Sequence, residues 1–153
     1  MSSNKIDFYR EMIKKTHETF REFLVHLPED ILEWKIHEFA NTVRWLIHHV
    51  IHDQMWIANV ILNSNEEGYH FDKKEEELTL EDLIEGFDET ISEIEVKLER
   101  VKEEDLLRNR SYKEYSMTVE DWLFEYIHHL NLHSGEIGLA LTIWKRKSRS
   151  LKD

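Results

Sequence analysis

The chain has no cysteine, one proline and only four glycines in 153 residues. Without cysteine there are no disulfides, no thiolate nucleophiles and no sulfur-based zinc sites. A sandwich or barrel needs many tight turns, so the scarcity of turn-formers excludes one and favours an all-α fold. No run of about 18 uncharged apolar residues is present, and the opening stretch MSSNKIDFYREMIKK has no apolar leader core. Excess positive charge is also lacking. Twenty Lys and Arg stand against 32 Asp and Glu, a net charge of −12. That balance repels phosphate backbones and gives no pull toward anionic lipid, so neither nucleic acid nor membrane is an expected partner. These absences together lead to the expectation of a cytoplasmic protein. The length suits one domain over 1–153 with a sizeable core.

Apolar residues at helical period are abundant. The first such segment, about 6–27, carries Ile13, Phe20, Phe23, Leu24 and Leu27, and Pro28 stops it. The stretch EDILEWKIHEF is a connector with room for a helical turn. Asn41 is an N-cap candidate for a second helix over about 42–62. A polar stretch, NSNEEGYHFDKKEEE, then forms a long crossover. Thr79 with Asp82 resembles a capping box opening a third helix over about 80–101, and Thr118 with Asp121 repeats it for a fourth over about 118–147. KEEDLLRNRSYKEYSM is read as the connection between these two. Four helices of this length predict a four-helix bundle with a long crossover between the second and third.

Six of the ten histidines fall in two short windows, WLIHHVIHD (45–53) and YIHHLNLHSGEI (126–137). Imidazole is a poor core filler, because each ring needs partners for its nitrogens. At about 100° per residue, His129 and His133 lie one turn apart on the apolar stripe of Trp122, Tyr126, Ala140 and Trp144, while His128 lies on a more polar side. On the second helix His49 falls inside the apolar face. His48 falls among Arg44, Met55 and Asn59, and His52 at the margin, so His49 is favoured with His48 and His52 as alternatives. Histidines at i and i+4 can share one metal ion. A third from another helix leaves a fourth position open, the arrangement of catalytic rather than structural zinc. The rival reading is that these rings hydrogen-bond internally and hold no metal. A di-iron carboxylate site fits poorly, since only Glu125-x-x-His128 is present and it points off the stripe.

The stretch LPEDILEWKIHEFANTVRWLIHHVIHDQMWI resembles the start of DinB-like and YfiT-like proteins. HLNLHSGEI resembles their closing H-x-x-x-H-R-G-Q motif, with Ser134 in place of Arg and Glu136 in place of Gln. The family histidine is followed by an apolar residue and, five positions on, often by Glu. Val50 and Gln54 occupy those places after His49. The resemblance implies a four-helix bundle, frequently a homodimer, with a three-histidine divalent metal site, often zinc or nickel. Its ligands here would be His49, His129 and His133. It also implies hydrolysis, or transfer involving a low-molecular-weight thiol and an electrophile, on a small-molecule substrate. Asp53 and Glu136, each within a turn of a ligand histidine, are candidates to orient an imidazole or take a proton. Tyr126 and Trp56 are placed to line a pocket or to fill the core. A metal-bearing bundle that binds a small molecule or a protein without catalysis is the alternative function.

Overall fold

The 3.6-residue apolar period produces four helices: α1 (Lys5–Val25), α2 (Val43–Ile61), α3 (Leu80–Leu98) and α4 (Val119–Ser150). This computed structural model describes residues 4–150, so residues 1–3 and 151–153 of the domain expected over 1–153 lie outside it. α1 stops two residues short of its expected end, because the residue before Pro28 is disfavoured in the helical region. α3 ends at Leu98 instead of Val101, and α4 runs to Ser150 instead of Lys147. The N-cap of α2 is Thr42, not Asn41: its hydroxyl accepts from the Trp45 N–H at 3.0 Å. The two boxes form as expected. Thr79 accepts from the Asp82 N–H and Asp82 from the Thr79 N–H, at 3.1 and 2.9 Å. Thr118 and Asp121 make the same exchange at 3.1 and 3.3 Å.

Contacts at the helix ends fix the directions. α1 and α4 begin side by side, where Lys5 and Tyr9 both donate to Glu120 at 2.9 Å. Arg10, early in α1, donates to the carbonyls of Leu98, the last residue of α3, and of Val101 just beyond it, so those two helices are antiparallel. Arg44, at the start of α2, donates to the Leu78 carbonyl just before α3, and Lys97 at the end of α3 donates to Asn59 at the end of α2. α2 and α3 are therefore parallel neighbours. Parallel neighbours need a connection that returns the length of the bundle, and residues 62–79 supply it. This crossover lies tightly on the helices. A Cβ at Gly68 would stand 2.3 Å from the His52 carbonyl oxygen, and one at Gly86 2.4 Å from the Phe71 ring.

α1 and α2 each pack on α3 and α4, which makes α1 and α2 a diagonal pair. The core between them is built from side chains such as Phe20, Ile47, Ile51, Phe87 and Leu130. Its second half, toward the start of α4, holds Ile13, Ile57, Ile94, Trp122 and Tyr126. Between α3 and α4 the expected plain connection contains an antiparallel hairpin, β1 (Asn109–Tyr112) with β2 (Tyr115–Thr118), in which Tyr112 faces Tyr115. Its turn places Lys113 at φ 51°, where glycine or asparagine is usual. Arg110 ties the hairpin to the Ile61 carbonyl of α2, and Trp122 of α4 donates to the Arg110 carbonyl. Among the described residues no helix is long and apolar enough to cross a membrane.

Candidate metal centre

α2 and α4 run antiparallel and face each other along much of their length, which brings residues 45–56 against 122–136. At this seam the rings of His49, His129 and His133 gather, with centroids 4.5–5.1 Å apart. One ligand atom from each lies within 4.8 Å of the other two. The Nε2 atoms of His49 and His129 are 3.3 Å apart. Tetrahedral zinc with Zn–N bonds of about 2.0–2.1 Å sets its nitrogens about 3.3 Å from one another, so this spacing suits such an ion. Each ring is largely covered, with side chains 13–25% exposed. The trio is thus a half-buried patch at the edge of the core.

The Nδ1 sides of the rings face polar groups. His133 Nδ1 is 2.6 Å from Glu136 Oε2. Asp53 Oδ2 lies 3.6 Å from His49 Nδ1 and 3.7 Å from His129 Nε2, while its other oxygen accepts from His52 Nδ1 at 2.8 Å. The Gln54 amide nitrogen sits 3.2 Å from His129 Nδ1, and the fully buried amide oxygen has no partner. Turning that amide by 180° places its oxygen against Nδ1–H. The oxygen then gains a partner in exchange for the long 3.5 Å bond that the amide nitrogen donates to the Tyr126 carbonyl, and the lone pair of His129 faces the other two rings at Nε2. The donor set, its spacing and this orphaned atom all fit a divalent ion.

Burial lowers the pKa of His129 to about 4, helped by the neighbouring His133 and opposed by Asp53. Burial also lowers His49, against the pull of Asp53. Both rings are therefore neutral at pH 7, as ligands must be. Burial acts to raise the Asp53 carboxyl, yet the His52 hydrogen bond and the neighbouring His49 and His129 bring it below its usual range. The same hydrogen bond raises His52.

His48 and His52 do not join the trio. His48 is half-buried, not solvated as its angular position predicts, because the crossover covers it: the Phe71 ring lies 5.4 Å away. His128 is exposed and stacks on Phe124. Tyr126 lines no cleft beside the site. It is fully buried, and its hydroxyl lies 2.6 Å from Nε2 of His17, a residue that sequence periodicity did not single out. The role of Gln54 was also missed, since its signal is only a polar residue on a buried stripe.

Two clefts open beside the trio. One, of about 350 Å³, reaches His133 and Glu136 and runs between the connector at 34–41, the start of α2 and α4. The other, of about 370 Å³, reaches His129 and is bounded by Trp56, Trp122 and the hairpin residues Tyr115 and Met117. Trp56 therefore lines a cleft as well as packing on the core.

Comparison with known proteins fits this architecture. The family model described as the DinB superfamily matches residues 12–137. No curated protein matches the sequence significantly. Among solved structures, a DinB-like protein from Bacillus cereus superposes with a TM-score of 0.71 at 15% identity, over 90% of this chain and 91% of that one. A DinB-like protein from Bacillus subtilis gives 0.69 at 17% identity, again over 90% and 91%. A variant of mycothiol-dependent maleylpyruvate isomerase gives 0.68 at 10% identity, over 87% of this chain and 60% of that one. At these identities the likeness is one of fold.

Proposed function

This chain belongs to the DinB superfamily, and on that premise we propose that it is a metal-dependent enzyme acting on a small molecule, with His49, His129 and His133 as ligands of zinc or nickel. The observation that carries the reading is the meeting of three imidazoles from two helices beside open clefts, with their Nδ1 sides facing Glu136, Asp53 and Gln54. A divalent ion held by three protein ligands would lower the pKa of a water or a low-molecular-weight thiol in the fourth position. The reaction class is hydrolysis, or thiol transfer to an electrophile; the dependence on mycothiol in the name of the isomerase neighbour is in keeping with use of a thiol. Glu136 orients His133. Asp53, ionised at neutral pH and close to two of the rings, is the residue placed to accept the proton of the nucleophile. The protein is proposed to work in the cytoplasm as a single-domain chain that forms homodimers.

The test is turnover by zinc- or nickel-loaded protein of chlorodinitrobenzene with glutathione or a bacillithiol-type thiol, and of nitrophenyl acetate with water. Activity that disappears on chelation and in His133→Ala is expected. Turnover that survives both would overturn the role of the trio, and inertness across the panel would favour a bundle that binds without catalysis. A second expectation concerns Gln54. Gln54→Leu keeps the volume but leaves His129 Nδ1–H without an acceptor, and zinc affinity measured by chelator competition is expected to fall about tenfold or more. An unchanged affinity would remove Gln54 from the site.

A further inference from the structure

Taking the site to be the one proposed above, we infer that its substrate presents an apolar, aryl-sized body carrying no negative charge to the cleft beside His133. That cleft ends on His133 and Glu136, so whatever fills it abuts the trio. Its walls are large and apolar. Trp34, Ile36 and Phe39 come from the connector, and Trp45 from α2, its ring lying flat on His49 with centroids 4.7 Å apart and planes 14° apart. Phe39 is 88% exposed at the mouth and Ile36 is 37% exposed, an arrangement that leaves apolar surface in water unless a ligand covers it. A volume of about 350 Å³ falls within the usual range for small-molecule sites.

The charge of the cleft is one-sided. Glu136 is the ionisable carboxylate of its lining, and no Lys or Arg lines it among the described residues. Lys147 lies over the Trp34 ring, with Nζ 5.8 Å from the centroid, and is not part of the lining. Asp53 adds a second negative charge on the far side of the trio, and the chain as a whole carries −12. A carboxylate or phosphate entering here would give up hydration, find no Lys or Arg in the lining, and meet Glu136, while the two positive charges of an ion at the trio would be offset by Glu136 and Asp53. A neutral or cationic ligand incurs neither cost, and a cation gains the aromatic faces as well.

The test uses three ligands on one ring system: naphthylmethylamine, naphthylmethanol and naphthoate. Binding to the full chain is followed through the indole N–H resonances of Trp34 and Trp45, in both chelated and zinc-loaded protein. The amine and the alcohol are expected to bind at least about tenfold more tightly than naphthoate. Phe39→Ala, at a position 88% exposed to solvent, is expected to weaken the alcohol severalfold. Asn41→Lys, which adds a cation at the exposed rim, is expected to strengthen naphthoate severalfold. Naphthoate binding as well as or better than the alcohol in either form would overturn the inference, as would indifference to Phe39→Ala or to Asn41→Lys, or no binding by any of the three. The chelated arm needs no metal. A chain that fails to load zinc therefore leaves this result standing, and a chain that loads zinc but prefers naphthoate defeats it alone.

Discussion

Alanine at His129 is expected to weaken zinc binding by at least about a hundredfold, and alanine at His133 or His49 by a similar factor, while His48→Ala and His128→Ala stay within about twofold of the parent. The contrast follows from position. The first three rings converge from α2 and α4, whereas His48 lies under Phe71 of the crossover and His128 stacks on Phe124 at the surface. All five are half-buried or exposed, so none of the substitutions opens a deep cavity, and circular dichroism should report a folded bundle throughout. Isothermal titration with zinc reads the outcome. If His48→Ala lost the metal and His49→Ala kept it, the choice between these adjacent residues would be reversed.

The second large effect lies on the same stripe of α4, three residues before His129, where Tyr126 meets α1. His17 is 1% exposed and its Nε2 sits 2.6 Å from the Tyr126 hydroxyl. Burial holds its pKa down from 6.5 to about 4, and the Glu95 carboxylate 3.6 Å from Nδ1, itself about half exposed, does not offset this. The unfolded chain therefore binds a proton at His17 before the folded one does. The stability this residue permits is complete above pH 6.5 and is lost progressively as pH falls toward 4, by about 3 kcal/mol in all. Urea unfolding in the presence of chelator, at pH 7.5 and at pH 4.5, measures it. Replacing both partners, His17→Phe with Tyr126→Phe, is expected to flatten that part of the slope. His17→Phe alone leaves a buried hydroxyl without its partner, at a cost of about 1–3 kcal/mol. An unchanged pH slope in the double variant would show that His17 is not the group responsible.

The helices and the crossover could be read from the chain because their signals are local. Apolar residues repeat at 3.6, Pro28 blocks continuation, and Thr79–Asp82 and Thr118–Asp121 mark the starts of α3 and α4. The same period brought His129 and His133 onto one stripe and separated His128 from them. The hairpin left no such mark, because its turn uses Lys113 at a positive φ where Asn-Gly or Gly would have announced it, and its strands are four residues each. It bears on the candidate site, since Tyr115 and Met117 wall the cleft beside His129. His48 was placed in solvent by angle alone, and only the path of the crossover, which brings Phe71 onto it, shows otherwise. Gln54 and His17 owe their importance to partners 75 and 109 residues away, and no periodicity within one helix encodes such a pair.

Metal content of the full chain, purified without an affinity tag and then offered equimolar zinc and nickel before removal of the excess, tests the central claim most directly. One tightly held divalent ion per chain, absent from His129→Ala handled in parallel, is the expected result. A chain that retains no stoichiometric ion from either metal, or an ion retained equally by His129→Ala, would mean that the three imidazoles at the α2–α4 seam serve internal packing and hold no metal.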